Sequence, residues 1–264
     1  MLMLYTVFVC AANAADYDSG VIAYQQDDFF AALREFRPLA EQGHARAQYA
    51  LGIMHEHGQG VPKDDHEAAR WYHMAGTQGL AGAQFRLGFI FHFGRFAGYD
   101  VARDFSEAVI WYQKAADQGH ADAQFYLGWL YELGWGVSQD DRTAVKWFRE
   151  AAENGHANAQ TGLGTKYYRG EGVLQDFLEA VIWFSRAAEQ GHQGGQYFLG
   201  LMHANGEGVS VDDIQAYAWL NLSAVHGHET ATEFRDELRG RMTADQILEA
   251  LKLSRELDSR IKQR

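Results

Sequence analysis

Residues 156–191 read HANAQTGLGTKYYRGEGVLQDFLEAVIWFSRAAEQG, and close variants of this stretch recur along the chain. The pair Leu163-Gly164, the tryptophan Trp183 and the closing glycine Gly191 each have counterparts at steps of 36 or 40 residues. Because three independent markers share one period, the sequence predicts an array of repeats. The predicted repeats are residues 44–79, 80–119, 120–155, 156–191 and 192–227.

Each repeat predicts two helices joined by a glycine turn. In residues 156–191 the first helix begins near the Ala-x-Ala-Gln motif and ends before Gly170. Gly170 and Gly172 are suited to the left-handed backbone that terminates a helix. Asp176 is placed to cap the second helix, whose apolar residues then recur at helical spacing.

A glycine inside the first helix of every repeat requires an explanation. Gly164 and its counterparts each cost about 0.5–1 kcal/mol relative to alanine at such a position. We expect the paired helix to approach closely there, with its alanines and its large tryptophan filling the space.

The two ends of the array differ from its middle. Residues 15–43 predict a partial repeat, in which Asp28 aligns with the capping aspartates of later repeats. Residues 228–264 predict capping helices, and Thr243 to Gln246 form a capping-box pattern. Caps of this kind protect the open end of a stack of repeats.

The composition is typical of a folded, helical and acidic protein. The chain has 264 residues, 47% of them hydrophobic, and only Pro38 and Pro62 could interrupt helices. Its 23 basic and 35 acidic residues give a formal charge of −12. Such a surface repels phosphate backbones, so we expect no nucleic-acid partner.

Residues 1–14, MLMLYTVFVCAANA, predict a signal peptide cleaved after Ala14. The apolar run is too short to cross a bilayer, so we expect no transmembrane segment in the mature chain. No basic residue precedes Arg34, so the basic segment of an ordinary signal is missing. We expect a periplasmic or secreted protein, with a cytoplasmic one as the alternative. Cleavage would also remove Cys10, the single cysteine.

The repeat unit, A-x-A-Q-x-x-L-G-x₅-G-x-G-V-x₃-D-x₃-A-x₂-W-[FY]-x₂-A-A-x₂-G-H, is similar to the Sel1-like repeat, a relative of the tetratricopeptide repeat. The resemblance covers residues 16–227. It implies an all-α, right-handed superhelical solenoid that holds protein partners, in bacteria often in the envelope. Some cysteine-rich relatives bind or hydrolyse β-lactams, but this chain lacks their cysteine pairs, so that activity does not carry over.

A four-residue insertion around Phe96–Tyr99 enlarges the turn of the second repeat. An enlarged turn on a regular array suits a contact that is specific to one partner. A tolerated loop insertion explains it equally well.

Neither catalytic motifs nor cofactor motifs occur in the sequence. It has no H-E-x-x-H, S-x-x-K, G-x-S-x-G or phosphate-binding loop. Five of the twelve histidines, such as His156, follow the repeat glycine, and the others do not suggest three converging metal ligands. We therefore predict no catalytic residue, no metal site and no cofactor.

The residue pattern on one face of each first helix predicts a surface that binds a partner. Helical spacing places aromatic and aliphatic residues on the stripe opposite the inter-helix core, where polar residues would be expected. An apolar groove for a peptide or helix and packing against neighbouring first helices are both consistent with this pattern. The predicted binding residues are Tyr49, Ile53, Phe85, Phe89, Phe93, Phe125, Trp129, Leu133, Tyr168, Tyr197 and Leu201.

These features predict a non-enzymatic scaffold that presents a concave, aromatic-rich groove to a protein or peptide. A glycan-binding module that uses Trp129 and Trp135 is one alternative. A hydrolase acting on cell-wall or β-lactam substrates is the other, although no spacing of residues suggests its nucleophile.

Overall fold

The computed structural model describes residues 15–96, 99–100 and 103–263. The predicted signal peptide therefore lies outside the described residues. Within them the chain forms two short strands, β1 (Arg95–Phe96) and β2 (Tyr99–Asp100), and the following helices: α1 (Tyr17–Gln25), α2 (Phe29–Glu41), α3 (Ala45–His57), α4 (Asp65–Thr77), α5 (Ala81–Phe93), α6 (Phe105–Ala116), α7 (Ala121–Leu133), α8 (Asp141–Glu153), α9 (Ala157–Arg169), α10 (Phe177–Glu189), α11 (Gln193–Asn205), α12 (Asp213–Val225), α13 (Glu229–Arg239) and α14 (Ala244–Lys262).

The helices form two compact units, the first ending at Arg103 and the second beginning at Asp104. In the first unit α1 to α5 pack in chain order, and in the second α6 to α12 do the same, with α13 and α14 packing on α12. The boundary follows the enlarged turn of the second repeat, where β1 and β2 pair antiparallel and Phe96 lies opposite Tyr99. The all-α repeat fold predicted from the sequence is confirmed.

Local sequence signals set the helix ends. The side chain of the predicted aspartate caps the second helix of every repeat, as Asp176 does by accepting from the backbone N–H groups of Leu178 and Glu179. Gly170 ends α9 in the left-handed conformation, with a φ of 71°. The same combination recurs with capping aspartates Asp64, Asp104, Asp140 and Asp212, and with helix-ending glycines Gly58, Gly94, Gly134 and Gly206.

The mid-helix glycines lie against the residue that follows the tryptophan, not against the tryptophan that the sequence suggested: an aromatic ring at Gly52, Gly128 and Gly164, and Leu220 at Gly200. A Cβ at Gly164 would lie 2.6 Å from Cε1 of Phe184, and one at Gly52 would lie 2.5 Å from Cε1 of Tyr72. The ring therefore belongs to the residue after the tryptophan. Trp183 instead packs among buried residues of α8, in the preceding repeat. The two adjacent aromatics thus face different neighbours: Trp183 reaches the preceding repeat, whereas Phe184 lies against Gly164 and stacks on Phe198 of the next repeat at 4.8 Å.

A buried glutamine connects successive hairpins. The side-chain Nε2 of Gln160 donates to the carbonyl of Ala152 in α8, at 3.1 Å. Its Oε1 accepts from Nε2 of Gln190, which caps the end of α10, at 2.7 Å. The Nε2 donation recurs from the glutamines Gln48, Gln84, Gln124 and Gln196 to a carbonyl eight residues earlier.

The predicted capping helices are present at the C-terminal end. Thr243 and Gln246 form the expected capping box at the start of α14, and Leu257 packs beside Trp219 of α12. On α13, Leu238 is buried, whereas Phe234 remains 40% exposed. Across the described part of the chain, no helix has both the length and the apolar content needed to cross a bilayer.

We predict that Gly164→Ala destabilises the second unit by about 1–2 kcal/mol, because overpacking against Phe184 exceeds the gain in helix propensity. Gly162→Ala, on the same helix, is the matched control. Its Cβ would lie 3.8 Å from the nearest atom, so this variant should be neutral or more stable by up to about 1 kcal/mol. Urea unfolding followed by circular dichroism measures both. Equal effects from the two substitutions would contradict the close packing.

We predict that Gln160→Leu lowers the free energy of unfolding by about 2 kcal/mol, because the buried carbonyl of Ala152 loses its side-chain donor. Gln139→Leu, at an exposed position, should change stability by less than about 0.5 kcal/mol. The same unfolding experiment compares them. A Gln160→Leu protein as stable as the control would show that the glutamine does not hold the hairpins together.

Candidate functional site

The predicted binding residues of α3 lie beside an apolar cavity of the first unit. Tyr49 and Ile53 are half-buried, and the ring of Tyr49 lies 5.6 Å from that of Tyr72. Both residues line a cavity of about 160 Å³ that α1 and α2 complete with Tyr17, Val21, Tyr24 and Phe36. Tyr49 therefore packs within the unit, while one side of its ring borders an open space.

Three phenylalanines form a row along α5. Phe85, Phe89 and Phe93 are half-buried, with ring centroids 6.2 Å apart for the first pair and 4.4 Å for the second. The row ends at the enlarged turn. His92 is buried and stacks on Phe93 at 4.4 Å, and burial lowers the pKa of His92 to about 4. The nearby positive charge of Arg103 lowers the pKa of His92 further, so its ring is neutral at pH 7.

In the second unit, Trp129 of α7 belongs to a larger aromatic group. Its ring lies 6.0 Å from Trp135 in the following turn, and Trp135 lies 4.9 Å from Phe105. Leu133 and Trp135 are each 39% exposed. Trp129 and Leu133 therefore lie beside the partly exposed indole of Trp135, which the sequence placed in the turn after the first helix.

Three further predicted residues lie on α9 and α11. Tyr168 packs on Phe177 at 5.5 Å, and Tyr197 stands edge-on to Phe234 at 5.8 Å. Leu201 lines a cleft between α11, α12 and α13. The structure thus adds Phe234 to the predicted face. Sequence reasoning missed this role because α13 lies outside the repeat pattern.

The repeat period accounts for the position of the repeat histidine, and the structure shows its role as a helix cap in four of the repeats. Nδ1 of His192 accepts from the backbone N–H of Gly195 at 3.1 Å, and His44, His120 and His156 cap α3, α7 and α9 in the same way. The rings also pack on predicted binding residues. His156 stacks on Phe125 at 4.7 Å, and His228 stacks on Tyr197 at 4.3 Å.

Burial favours the neutral form of His192. It lowers the pKa of His192, and the neighbouring His156 and His228 lower it further. Nε2 of His192 lies 2.7 Å from Oδ1 of Asn158, and a neutral ring with its proton on Nε2 satisfies both this contact and the cap. Protonation of Nδ1 would remove the acceptor that the N–H of Gly195 uses.

A buried lysine is the feature that sequence analysis missed entirely. Lys166 is 2% exposed, and its Nζ lies 2.7 Å from Glu132, 2.8 Å from Asp141 and 3.0 Å from Glu171. Burial alone would lower the pKa of Lys166, but the hydrogen bonds to these carboxylates raise it above its ordinary value. The sequence did contain a signal for this residue, because Lys166 stands at a repeat position where the other repeats have apolar residues: Met54, Ile90, Leu130 and Met202.

Lys166 ties α9 to α7, to α8 and to the turn that follows α9. Its charge is matched by three partners, so the arrangement serves packing and leaves no free cation for a substrate. Within residues 15–96, 99–100 and 103–263, no three histidine, cysteine, aspartate or glutamate side chains converge in a way that could hold a metal ion.

Comparison with known proteins gives the class of the chain. The Sel1 repeat family matches residues 45–80, 81–120, 121–156, 157–192 and 194–228. The chain belongs to this family of repeat proteins. Sel1 repeat proteins typically mediate protein–protein interactions and generally act as non-enzymatic scaffolds.

Particular relatives include a Sel1 repeat protein from Oxalobacter formigenes, whose crystal structure matches with a TM-score of 0.79 and 31% identity, over 92% of this chain and 97% of the other. A protective antigen of uropathogenic Escherichia coli, c5321, matches with a TM-score of 0.63 and 30% identity, over 93% and 60%. HRD3A of Arabidopsis thaliana, a component of an ERAD-associated E3 ubiquitin-protein ligase, is 47% identical over 45 residues. That match covers 17% of this chain and 7% of HRD3A.

The cap histidines predict a pH-dependent stability. Because folding lowers the pKa of His192 below the unfolded value of about 6.5, its contribution is full above about pH 6.5 and is lost as the pH falls below it. His192→Asn keeps a good cap and removes the titration. We expect its unfolding free energy to fall less than that of the wild type between pH 7.5 and pH 5.

Urea unfolding at several pH values provides the measurement. His57→Asn is the control, because His57 is exposed and forms no cap. If the wild type and His192→Asn lose stability equally on acidification, the capping role of the neutral ring is wrong.

Proposed function

We propose that the protein is a non-enzymatic scaffold that binds a protein or peptide partner through the aromatic faces of its first helices. In the first unit the face comprises the α3 and α5 residues, and in the second those of α7, α9 and α11. The observation that carries the proposal is the aromatic surface at Trp129, where Leu133 and Trp135 are each 39% exposed. Exposed aromatics gathered on one surface are typical of binding hot spots.

The charge of the chain supports a protein partner rather than a nucleic acid. A formal charge of −12 repels phosphates and favours a partner with basic residues near its apolar anchors. The relatives agree with this role: HRD3A and HRD3B are named as components of a ubiquitin ligase, and their similarity to this chain spans 45 and 48 residues.

The second candidate is a glycan-binding module. Trp129 and Trp135 carry it, because two indoles 6.0 Å apart, one of them partly exposed, could stack on sugar rings. The protein-binding role remains the first choice, since the half-buried apolar residues extend over α9 and α11 as well.

We predict that Trp129→Ala and Phe89→Ala each weaken capture of a protein partner by about tenfold or more, since truncation of a hot-spot aromatic costs at least about 2 kcal/mol. Pull-down from an envelope extract of the source organism, quantified by mass spectrometry, measures the loss. Leu174→Ala is the control, because Leu174 is 90% exposed, lies in the turn after α9 and is not one of the predicted binding residues.

Circular dichroism must show that each variant remains folded. A partner retained by both variants would overturn the proposed face. Binding to polysaccharide that Trp129→Ala abolishes, with no protein captured by any variant, would instead support the glycan-binding role.

The proposal includes a periplasmic or secreted location, which rests on the apolar run before Ala15. We predict that protein isolated from the source organism begins at Ala15 and contains no cysteine. Intact-mass measurement checks this, and a mature chain that still carries residues 1–14 would contradict cleavage.

A further inference from the structure

The cleft of the second unit at α11, α12 and α13 has the form of a side-chain binding pocket. Its volume is about 530 Å³, and Leu201, Leu220, Phe234 and Leu238 form its apolar walls. Leu220 and Leu238 are buried within the unit. Pockets that hold a ligand group commonly have this size and an apolar lining.

Phe234 gives the cleft an exposed aromatic edge. Its side chain is 40% exposed, although Tyr197 contacts one edge of the ring at 5.8 Å. Helix α13 occupies the position that the first helix of another repeat would take, directly after the last Gly-His pair. At the 36-residue step Phe234 corresponds to Phe198, and Glu233 and Glu237 take the positions of Tyr197 and Leu201. Phe234 borders the face formed by Tyr197 and Leu201 through its ring contact with Tyr197.

The rim of the cleft is negatively charged. Glu233 and Glu237 lie one turn apart on α13, on the side that bears Phe234, and both are exposed. Burial raises the pKa of Tyr197, and the negative charge of Glu233 raises it further, which fits a carboxylate close to this ring. Arg239 lies half a turn away from Glu237, on the other side of the helix.

The nearby cations are already engaged. Arg241 donates to Asp213 at 2.7 Å and to the carbonyl of Ala204 at 3.2 Å. Arg235 is bound to Asp236 at 2.8 Å. Arg241 also lines the cleft, but its charge is paired with that of Asp213. Among the described contacts, Glu233 and Glu237 have no ion pair, so the border of the cleft carries net negative charge.

We propose that this cleft binds a peptide segment of a protein partner, which inserts one apolar side chain between Leu201, Phe234 and Leu238 and places a lysine or arginine beside Glu237 and Glu233. The proposal rests on the protein-binding function and specifies its partner chemistry in the second unit. Burial of the peptide's apolar side chain in the cleft supplies affinity. The peptide's lysine or arginine selects for this peptide over others and orients it in the cleft.

The test uses the full-length protein and fluorescein-labelled synthetic peptides of twelve residues on a Gly-Ser background. Each peptide carries a central leucine with a lysine at one of the four positions on either side. Matched peptides replace the lysine with glutamate or the leucine with alanine. Fluorescence anisotropy should show that the best leucine–lysine peptide binds at least tenfold more tightly than either matched peptide, and that added salt reduces the difference.

Variants of α13 assign the binding to this cleft. Phe234→Ala should weaken the best peptide about tenfold, and Glu237→Lys should make the glutamate peptide the preferred one. Glu249→Lys is the charge-matched control, because Glu249 is exposed on α14 and does not line the cleft. It should leave the preference between the two peptides unchanged.

Equal binding of lysine and glutamate peptides, or a preference that Glu237→Lys leaves intact, would overturn the proposal. Its failure can be told apart from failure of the proposed function. If Phe234→Ala has no effect but Trp129→Ala abolishes capture of the protein partner, the scaffold role stands without this cleft. If neither peptides nor proteins bind to any form of the chain, both proposals are wrong.

Discussion

The side-chain amide of one buried glutamine per repeat joins helices that no local hydrogen bond could connect. Gln48 donates to Ala40 in α2 and accepts from Gln78 at the end of α4, so one side chain fixes three helices. The carbonyl it caps belongs to the last turn of a helix, where backbone acceptors lack partners within the helix. Removing the amide would leave buried polar groups without hydrogen-bond partners. The glutamine therefore stabilises the packing of successive hairpins and also fixes the spacing between them.

The tryptophan of each second helix and the large apolar residue after it provide apolar contacts between helices, beside the hydrogen bonds of the glutamine. Phe184 fills the space that Gly164 leaves within its hairpin, while Trp183 packs on the preceding repeat. Because the two residues are adjacent in sequence, they lie about 100° apart around α10 and reach different neighbours. The glycines, tryptophans and glutamines make the contacts that hold the repeats together. The residues on the exposed face of the first helices can therefore differ between repeats, and such differences give a repeat protein its binding specificity.

The repeat histidines link this scaffold to the proposed binding face. His156, which caps α9, stacks on Phe125, and His228, which precedes α13 and makes no side-chain cap hydrogen bond, stacks on Tyr197. Lys166 plays a comparable part in α9, where its three carboxylate partners hold a charge at a core position. The residues proposed to contact a partner are thus held in place by polar and charged side chains, and these contacts depend on the charges of those side chains.

The sequence by itself determined the repeat, its helices, their aspartate caps and the glycine turns, because these depend on interactions among residues close in the chain. From helical spacing it also predicted that Trp129, Tyr197 and Leu201 belong to a binding face. Only the tertiary structure decided which aromatic meets Gly164, what the histidine and glutamine of each repeat do, and that Lys166 is buried. Likewise, the cleft at Phe234 exists only where α11, α12 and α13 meet. The contact of Gly164 with Phe184 and that of Gln160 with Gln190 join residues far apart in the chain, and the geometry that brings such residues together arises when hairpins pack. The histidine cap is local, because His192 accepts from the N–H only three residues later, and sequence reasoning did not assign it.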